Sequence, residues 1–326
     1  MRILLTGGTG FVGGHVAERL AASGHRVRAL TRGRDDGGVL AGAGAEPVRG
    51  TLEDPASLRA AVEGVEAVLH LAGLIRARRP SDYHEVNAGG TLRLLQACAE
   101  SRPRPRRFVL VSSLGAQGPS RTGRPLREED EAHPVSHYGW SKRRGERIAR
   151  SFGDRMEVVV VRPPAVYGPR DRESLAFYRI AAAGLLPRLS GRDLRLVLVH
   201  VADLAEGIAA ATTVPSAAGG VYHLCHPEVV ELGGMLGVMA RAAGREGRTL
   251  SLPRGLLRGA AFVSEQVATL LGRIPALSLD KAREISAPAW VADPSAARRD
   301  LGWEARIPAD EGIPATAHWY RERGWL

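Results

Sequence analysis

The sequence predicts an α/β chain in which a doubly wound parallel sheet is joined to a smaller, mostly helical C-terminal lobe. Short apolar runs alternate with longer amphipathic stretches over residues 2–162, the pattern of a parallel sheet with helices on both faces. Glycines at positions 7, 8, 10, 13 and 14 sit where the first strand must turn into the first helix. Beyond Gly168 the strand runs thin out and helical spacing takes over.

Taken in order, strands are expected near 2–6, 26–31, 45–49, 66–71, 107–112 and 157–162. Helices fall between them near 11–23, 54–63, 84–101 and 136–152. A helix near 173–184, the extended segment 194–200, a helix near 202–213 and a strand at 221–224 follow, several of them returning to the sheet. Helices near 231–244, 255–271, 278–286 and 309–322 then form most of the lobe.

Composition narrows the function classes. With 326 residues, 44% of them hydrophobic, and 39 glycines, the chain can bury one large α/β core plus a lobe. The net charge of +10 raises nucleic acid as a partner, but the arginines are scattered and aromatics make up only 5%, too few for a base-stacking surface. No nucleic-acid partner is expected. Two cysteines, Cys98 and Cys225, lack metal or redox spacing, so free thiols in a reducing cytoplasm and no metal site are expected. Because residues 3–6 already read as a strand, no secretory leader is expected.

The glycine-rich turn has a chemical meaning. Thr6-Gly7-x-x-Gly10-Phe11-Val12-Gly13 gives a tight turn, a close backbone approach and close helix packing, so that N–H groups at a helix N-terminus can hold a pyrophosphate. Residues 1–170 are therefore read as a dinucleotide-binding domain with returning segments near 194–225, and 171–326 mainly as a substrate-binding lobe. At the end of the second strand, Leu30-Thr31-Arg32-Gly33-Arg34 offers no acid until Asp35. Arg32, with Arg34, suits a 2′-phosphate, which favours NADP over NAD.

A second signal lies in His137-Tyr138-Gly139-Trp140-Ser141-Lys142. Only two of the 45 basic residues are lysines, and one of them stands four residues after Tyr138. On a helix the two side chains share a face, where an ammonium stabilises phenolate and draws a tyrosine toward working pH.

The glycine spacing with Tyr138-x-x-x-Lys142 resembles the extended short-chain dehydrogenase/reductase family, the NAD-dependent epimerase/dehydratase superfamily. Further marks follow in order: His70-Leu71-Ala72-Gly73, Val86-Asn87-Ala88-Gly89-Gly90-Thr91, Phe108-Val109-Leu110-Val111-Ser112-Ser113, Arg162-Pro163-Pro164-Ala165-Val166-Tyr167-Gly168, and a C-terminal pattern from Leu301-Gly302-Trp303 to Leu326. The resemblance implies a Rossmann-type fold, Tyr138 as general acid/base, Lys142 binding the nicotinamide ribose, Ser113 orienting the substrate oxygen and Asn87 organising the catalytic helix. It places the cofactor against Thr6, Gly7, Gly10, Phe11, Val12, Gly13, Arg32, Leu52, Leu71, Ala72, Gly73, Tyr138, Lys142, Pro163 and Val166. Thr51 stands where relatives carry an acid and is a further candidate cofactor contact, at the adenine. A homodimer through the helices near 84–101 and 136–152 is also implied. His70 receives no proton role.

Absences point to the substrate. Sugar dehydratases of the family place an Asp-Glu pair after the catalytic hydroxyl, where this chain has Leu114-Gly115; many epimerases carry an Asn where it has Ala165. These losses make the chain look most like the 3β-hydroxysteroid-dehydrogenase-like branch, and imply an apolar ketone or secondary alcohol held by Leu74, Ile75, Gln117, Trp140, Pro164, Val166 and the helix at 255–271. Arg170 is a further candidate substrate contact. The alternatives are a nucleotide-sugar epimerase, with Arg170, Arg172 and Arg179 on the diphosphate, and a non-catalytic dinucleotide-binding scaffold. The 255–271 helix carries an apolar face interrupted by Arg254, Arg258, Glu265 and Gln266, which excludes a membrane span. It reads as core packing of the lobe, or else as a greasy lip or peripheral membrane contact.

Overall fold

A computed structural model describes residues 1–33, 38–191 and 193–326. Thirteen strands are described: β1 (Arg2–Thr6), β2 (Arg26–Thr31), β3 (Glu46–Arg49), β4 (Ala67–His70), β5 (Arg107–Val111), β6 (Glu157–Arg162), β7 (Ala165–Tyr167), β8 (Leu185–Leu189), β9 (Arg195–His200), β10 (Val221–His223), β11 (Val229–Glu231), β12 (Arg248–Leu252) and β13 (Ala289–Trp290). Between them run α1 (Phe11–Ala22), α2 (Val39–Gly42), α3 (Pro55–Val62), α4 (Pro80–Tyr83), α5 (Gly90–Glu100), α6 (His137–Arg150), α7 (Leu175–Ala182), α8 (Val201–Thr213), α9 (Leu232–Ala242), α10 (Arg254–Leu270), α11 (Leu279–Ile285), α12 (Ser295–Leu301) and α13 (Ala309–Glu322).

Seven strands form one parallel sheet in the order β3-β2-β1-β4-β5-β6-β10. Strand alternation sends neighbouring residues to opposite faces. Ile3, Leu5, Val109, Val111, Val159 and Val161 pack with Val16 and Leu20 of α1 and Leu204 and Ile208 of α8. Leu4, Phe108, Leu110, Val158 and Val160 face Leu58 of α3 and Leu94 and Leu95 of α5. Strand order reverses between β1 and β4, and ligands bind at the carboxyl ends beside such a switch point.

The lobe has its own core, in which Tyr178 of α7 and Tyr320 of α13 meet edge to face at 5.0 Å beside Leu236 and Ile313. Here the structure departs from the sequence reading. Among the described residues only β10 returns to the main sheet; β9, within the 194–200 segment, instead centres a four-stranded sheet with β7, β11 and β13. The helix expected over 84–101 begins as a π-helical turn, His84–Gly89, before α5. Core packing of the 255–271 helix is not found: Ala261 and Ala268 alone are buried within α10, because its large apolar side chains point outward.

Candidate active site

The site grows from the switch point. Gly7 has φ +77°, and a Cβ there would lie 2.8 Å from the Ala72 nitrogen; a Cβ on Gly13 would lie 2.0 Å from the Gly7 carbonyl oxygen. Only bare backbone fits between β1, α1 and the end of β4. Gly10 caps α1 without a side-chain hydrogen bond, leaving first-turn N–H groups to an anion. Thr6 Oγ1 is 2.7 Å from His70 Nδ1 and accepts from the Ala72 N–H at 3.2 Å. The opposite ring nitrogen, His70 Nε2, meets Thr91 Oγ1 at 3.0 Å, and Thr91 donates to the Asn87 carbonyl at 2.6 Å. Burial, with the Lys142 charge nearby, lowers His70 to about 3, so it bridges as a neutral ring. Phe11 and Val12 open α1, and Leu71 donates its N–H to Thr6 O at 3.2 Å. These features fit a dinucleotide, with Arg32 exposed just beyond β2. Arg34 and Asp35, invoked for cofactor choice, lie outside the described residues. Thr51 Oγ1 accepts from the Glu53 N–H at 3.2 Å, and Leu52 packs beside Gly90.

Across the crevice, α6 brings up Tyr138 and Lys142. Ser136 caps that helix, its hydroxyl accepting from the Gly139 N–H at 3.0 Å. Lys142 Nζ, buried, donates to the Val111 carbonyl at 3.1 Å. Ser113 Oγ, following β5, accepts from the Gly115 N–H at 3.0 Å. A Cβ on Gly115 would lie 3.3 Å from Ser113 Oγ and 3.5 Å from the Tyr138 ring; one on Gly73 would lie 2.8 Å from Asn87 Oδ1 and 3.3 Å from Lys142 Nζ. The structure therefore brings Ser113, Tyr138, Lys142, Asn87 and Gly73 to one place. Asn87 pins the 74 loop through Leu74 N (2.7 Å) and Leu74 O (3.0 Å) and donates to Ser141 Oγ at 2.9 Å.

Electrostatics correct one expectation. Tyr138 is pushed up to about 12, burial outweighing its hydrogen bond to Ser113, with the charges of Glu284 and Tyr83 adding to the rise. Lys142 does not draw the phenol down in the protein alone; its own value is lowered to about 8 by burial, against the pull of Glu146.

Two substrate candidates are likewise corrected. Gln117 is buried, donating to Arg127 O and Asp130 O and accepting from Arg162 Nη1 at 3.1 Å; its Oε1 lies 2.7 Å from His223 Nε2. It holds a loop rather than lining a pocket. Arg170, at φ 74°, grips Glu18 with two bonds of 2.7 and 2.8 Å. The proposed diphosphate partners are also committed: Arg172 stacks on Trp325 at 4.8 Å and Arg179 donates to Trp325 O at 3.1 Å. Leu74 and Pro164 are half-buried, and Ile75 and Trp140 exposed.

Sequence reasoning missed four contributors. Tyr83 meets the Tyr138 ring edge to face at 6.0 Å. Glu284 of α11 accepts from Ser136 Oγ at 2.7 Å, and Asp280 accepts from the His137 N–H at 2.6 Å, so the lobe clamps the start of α6. Glu146 lies one turn after Lys142, a spacing that could have found it.

The sequence matches the NAD dependent epimerase/dehydratase family over residues 3–225. It is 33% identical to a ceramide reductase of Caulobacter vibrioides (strain NA1000 / CB15N), covering 99% of this chain and 96% of that protein. It is 31% identical to the 4-hydroxy-2-methyl-3-oxo-4-farnesyl-3,4-dihydroquinoline-1-oxide ketoreductase of Stigmatella aurantiaca, covering 97% and 95%. A solved short-chain dehydrogenase/reductase superfamily protein from Agrobacterium tumefaciens with bound NAD superposes with a TM-score of 0.76 at 26% identity, covering 99% and 98%.

Proposed function

The chain belongs to the NAD dependent epimerase/dehydratase family and is an enzyme of its dehydrogenase/reductase kind, and from that premise we propose that it reduces an apolar ketone, or oxidises the matching secondary alcohol, with Tyr138 as the proton-transferring group. The observation that carries this reading is the meeting of Ser113, Tyr138 and Lys142 beside the glycine-rich turn.

The nicotinamide, when bound, supplies or takes the hydride. With its value near 12, Tyr138 holds its proton at neutral pH and can deliver it to a carbonyl oxygen becoming an alkoxide. Ser113 Oγ accepts from the Gly115 N–H and its hydroxyl bonds Tyr138, so its proton can turn from the phenol to the same substrate oxygen. Lys142, fixed by Val111 O, places a cation beneath the site, and Asn87 fixes the loop opposite.

An apolar substrate is supported by Leu114-Gly115 in place of acid/base carboxylates and by relatives named for reducing ceramide and a farnesylated ketone. The sugar-epimerase reading loses support because Arg170, Arg172 and Arg179 are bound elsewhere. NADP is the favoured cofactor, on Arg32. A cytoplasmic homodimer through α5 and α6 belongs to the same reading; a monomer by light scattering contradicts the dimer.

The test is net turnover. Purified protein is offered NADPH or NADH with long-chain ketones, and in parallel UDP-sugars. Ketone-dependent loss of nicotinamide absorbance supports the proposal. UDP-sugar interconversion without net absorbance change, and no ketone turnover, would move the assignment to epimerase.

A further inference from the structure

The corner between α10 and α11 is apolar and faces solvent. Val267, Leu270, Leu271 and Ile274 are 48, 86, 60 and 49% exposed. Positions 263, 267 and 270 of α10 and Leu271 at its C-cap share one face at helical spacing, while Ala261 and Ala268 pack inward. Gly272, at φ 61°, ends the helix and turns the chain so that Ile274 follows the same tip.

This corner adjoins the candidate active site. Arg76 Nη2 donates to Pro275 O at 3.2 Å and to Ala276 O at 2.8 Å, tying the corner to the 74–79 loop, whose Ile75 is 57% exposed. That loop is the one Asn87 pins through Leu74. The apolar tip and the site mouth are thus parts of one rim.

The rim is also cationic. Arg78, Arg79 and Arg273 are exposed, and among the described residues Arg78 and Arg273 make no ion pair or side-chain hydrogen bond. Of the neighbouring acids, Glu173 pairs with Arg76 at 3.7 Å, Asp280 with Arg283 at 2.9 Å and Glu284 with Lys281 at 3.1 Å, while Asp82 and Glu265 are half-buried and accept from the Arg79 N–H at 3.1 Å and the Leu279 N–H at 2.8 Å. Exposed leucine and isoleucine beside unpaired arginine match the boundary of a bilayer bearing anionic headgroups. Among the described residues no helix is long and apolar enough to cross a membrane, so contact would be at the surface.

We propose that the α10–α11 corner and the 74–79 loop dock on an anionic phospholipid surface, with the tip side chains entering the headgroup boundary. Its use, passing a lipid-like ketone from bilayer to Tyr138, rests on the reaction proposed above; the docking itself does not.

The experiment is co-sedimentation, without ketone or cofactor, with vesicles of phosphatidylcholine alone or mixed with phosphatidylglycerol. The intact protein should sediment with the mixed vesicles and much less with phosphatidylcholine. Leu270→Ser, Leu271→Ser and Ile274→Ser together should abolish sedimentation, with the circular dichroism spectrum retained. Arg78→Gln with Arg273→Gln should weaken it about 25-fold, at roughly fivefold per arginine near an anionic surface. No sedimentation of the intact protein, or equal sedimentation of the triple variant, overturns the proposal. So does a triple variant that converts a dimer to a monomer in light scattering while the intact protein ignores vesicles, because the corner is then a contact between copies. Vesicle binding with no ketone turnover would leave docking standing and remove the reaction; the reverse would remove docking alone.

Discussion

Glu146 and Arg162 form a closed ion pair beneath Lys142: Arg162 Nε and Nη2 reach the two carboxylate oxygens at 2.9 and 2.8 Å, and both side chains are buried. Ser112 donates to the same carboxylate at 2.6 Å and Arg143 at 3.1 Å. The pair joins α6 to the ends of β5 and β6, the three elements that carry Tyr138, Ser113 and Pro163. Breaking it leaves a buried charge alone. Arg162→Met should therefore cost about 3–5 kcal/mol, read as a lower urea midpoint, whereas Glu146→Leu with Arg162→Met together should cost much less. Equal losses in the single and double variants would contradict the pairing.

The same carboxylate tunes Lys142. Burial lowers Lys142 to about 8 while Glu146 raises it, so the ammonium is present below that pH and lost above it. Ketone reduction should be flat through neutral pH and fall above about pH 8. In Glu146→Gln the raising charge is gone, and the fall should start at lower pH. An unmoved profile in a variant with normal circular dichroism would separate Glu146 from Lys142.

Glu284 acts on the other reacting group. Its charge contributes to holding Tyr138 near 12, which favours the protonated phenol needed for reduction and delays the phenolate needed for alcohol oxidation. Glu284→Gln should move the rising limb of the oxidation profile to lower pH. It should also loosen the cap contact with Ser136, so Ser136→Ala is the control: if that variant moves the profile equally, helix positioning rather than charge is responsible.

Gly13 leaves no room for a side chain, a Cβ falling 2.0 Å from Gly7 O. Gly13→Ala should weaken dinucleotide binding at least tenfold, an estimate from the cost of displacing backbone at a phosphate turn, measured by quenching of tryptophan fluorescence. Unchanged affinity would show that the turn is not the cofactor cradle.

Arg32 sets cofactor choice in this account. Arg32→Ala should reduce kcat/KM for NADPH roughly tenfold or more, the loss of about one charge-assisted phosphate contact, while sparing NADH. Equal losses with both cofactors would remove it from 2′-phosphate recognition.

Much of this was legible in the chain because the signals are local. The glycine turn, the Tyr138–Lys142 spacing and the run of four valines in β6 each lie within one element or one connection. Gln117 and Arg170 misled because what occupies them is remote: His223 lies 106 residues from Gln117, and Glu18 lies 152 from Arg170. An arginine just beyond the sixth-strand motif reads as a substrate or diphosphate contact until the fold supplies a carboxylate. The α10 face misled differently, since amphipathic spacing alone does not tell a helix that packs inward from one that turns its apolar side out. Glu284 had no local mark, its place by α6 being set by how the lobe closes on the sheet.

The most direct test of the account is single-turnover reduction of a long-chain ketone by Tyr138→Phe, with cofactor affinity measured on the same sample. The account predicts loss of at least a hundredfold in the chemical step, in the range for removing a positioned proton donor, with cofactor binding little changed. A Tyr138→Phe enzyme that reduces the ketone at a rate near that of the intact protein would contradict the assignment of Tyr138 and with it the proposed mechanism.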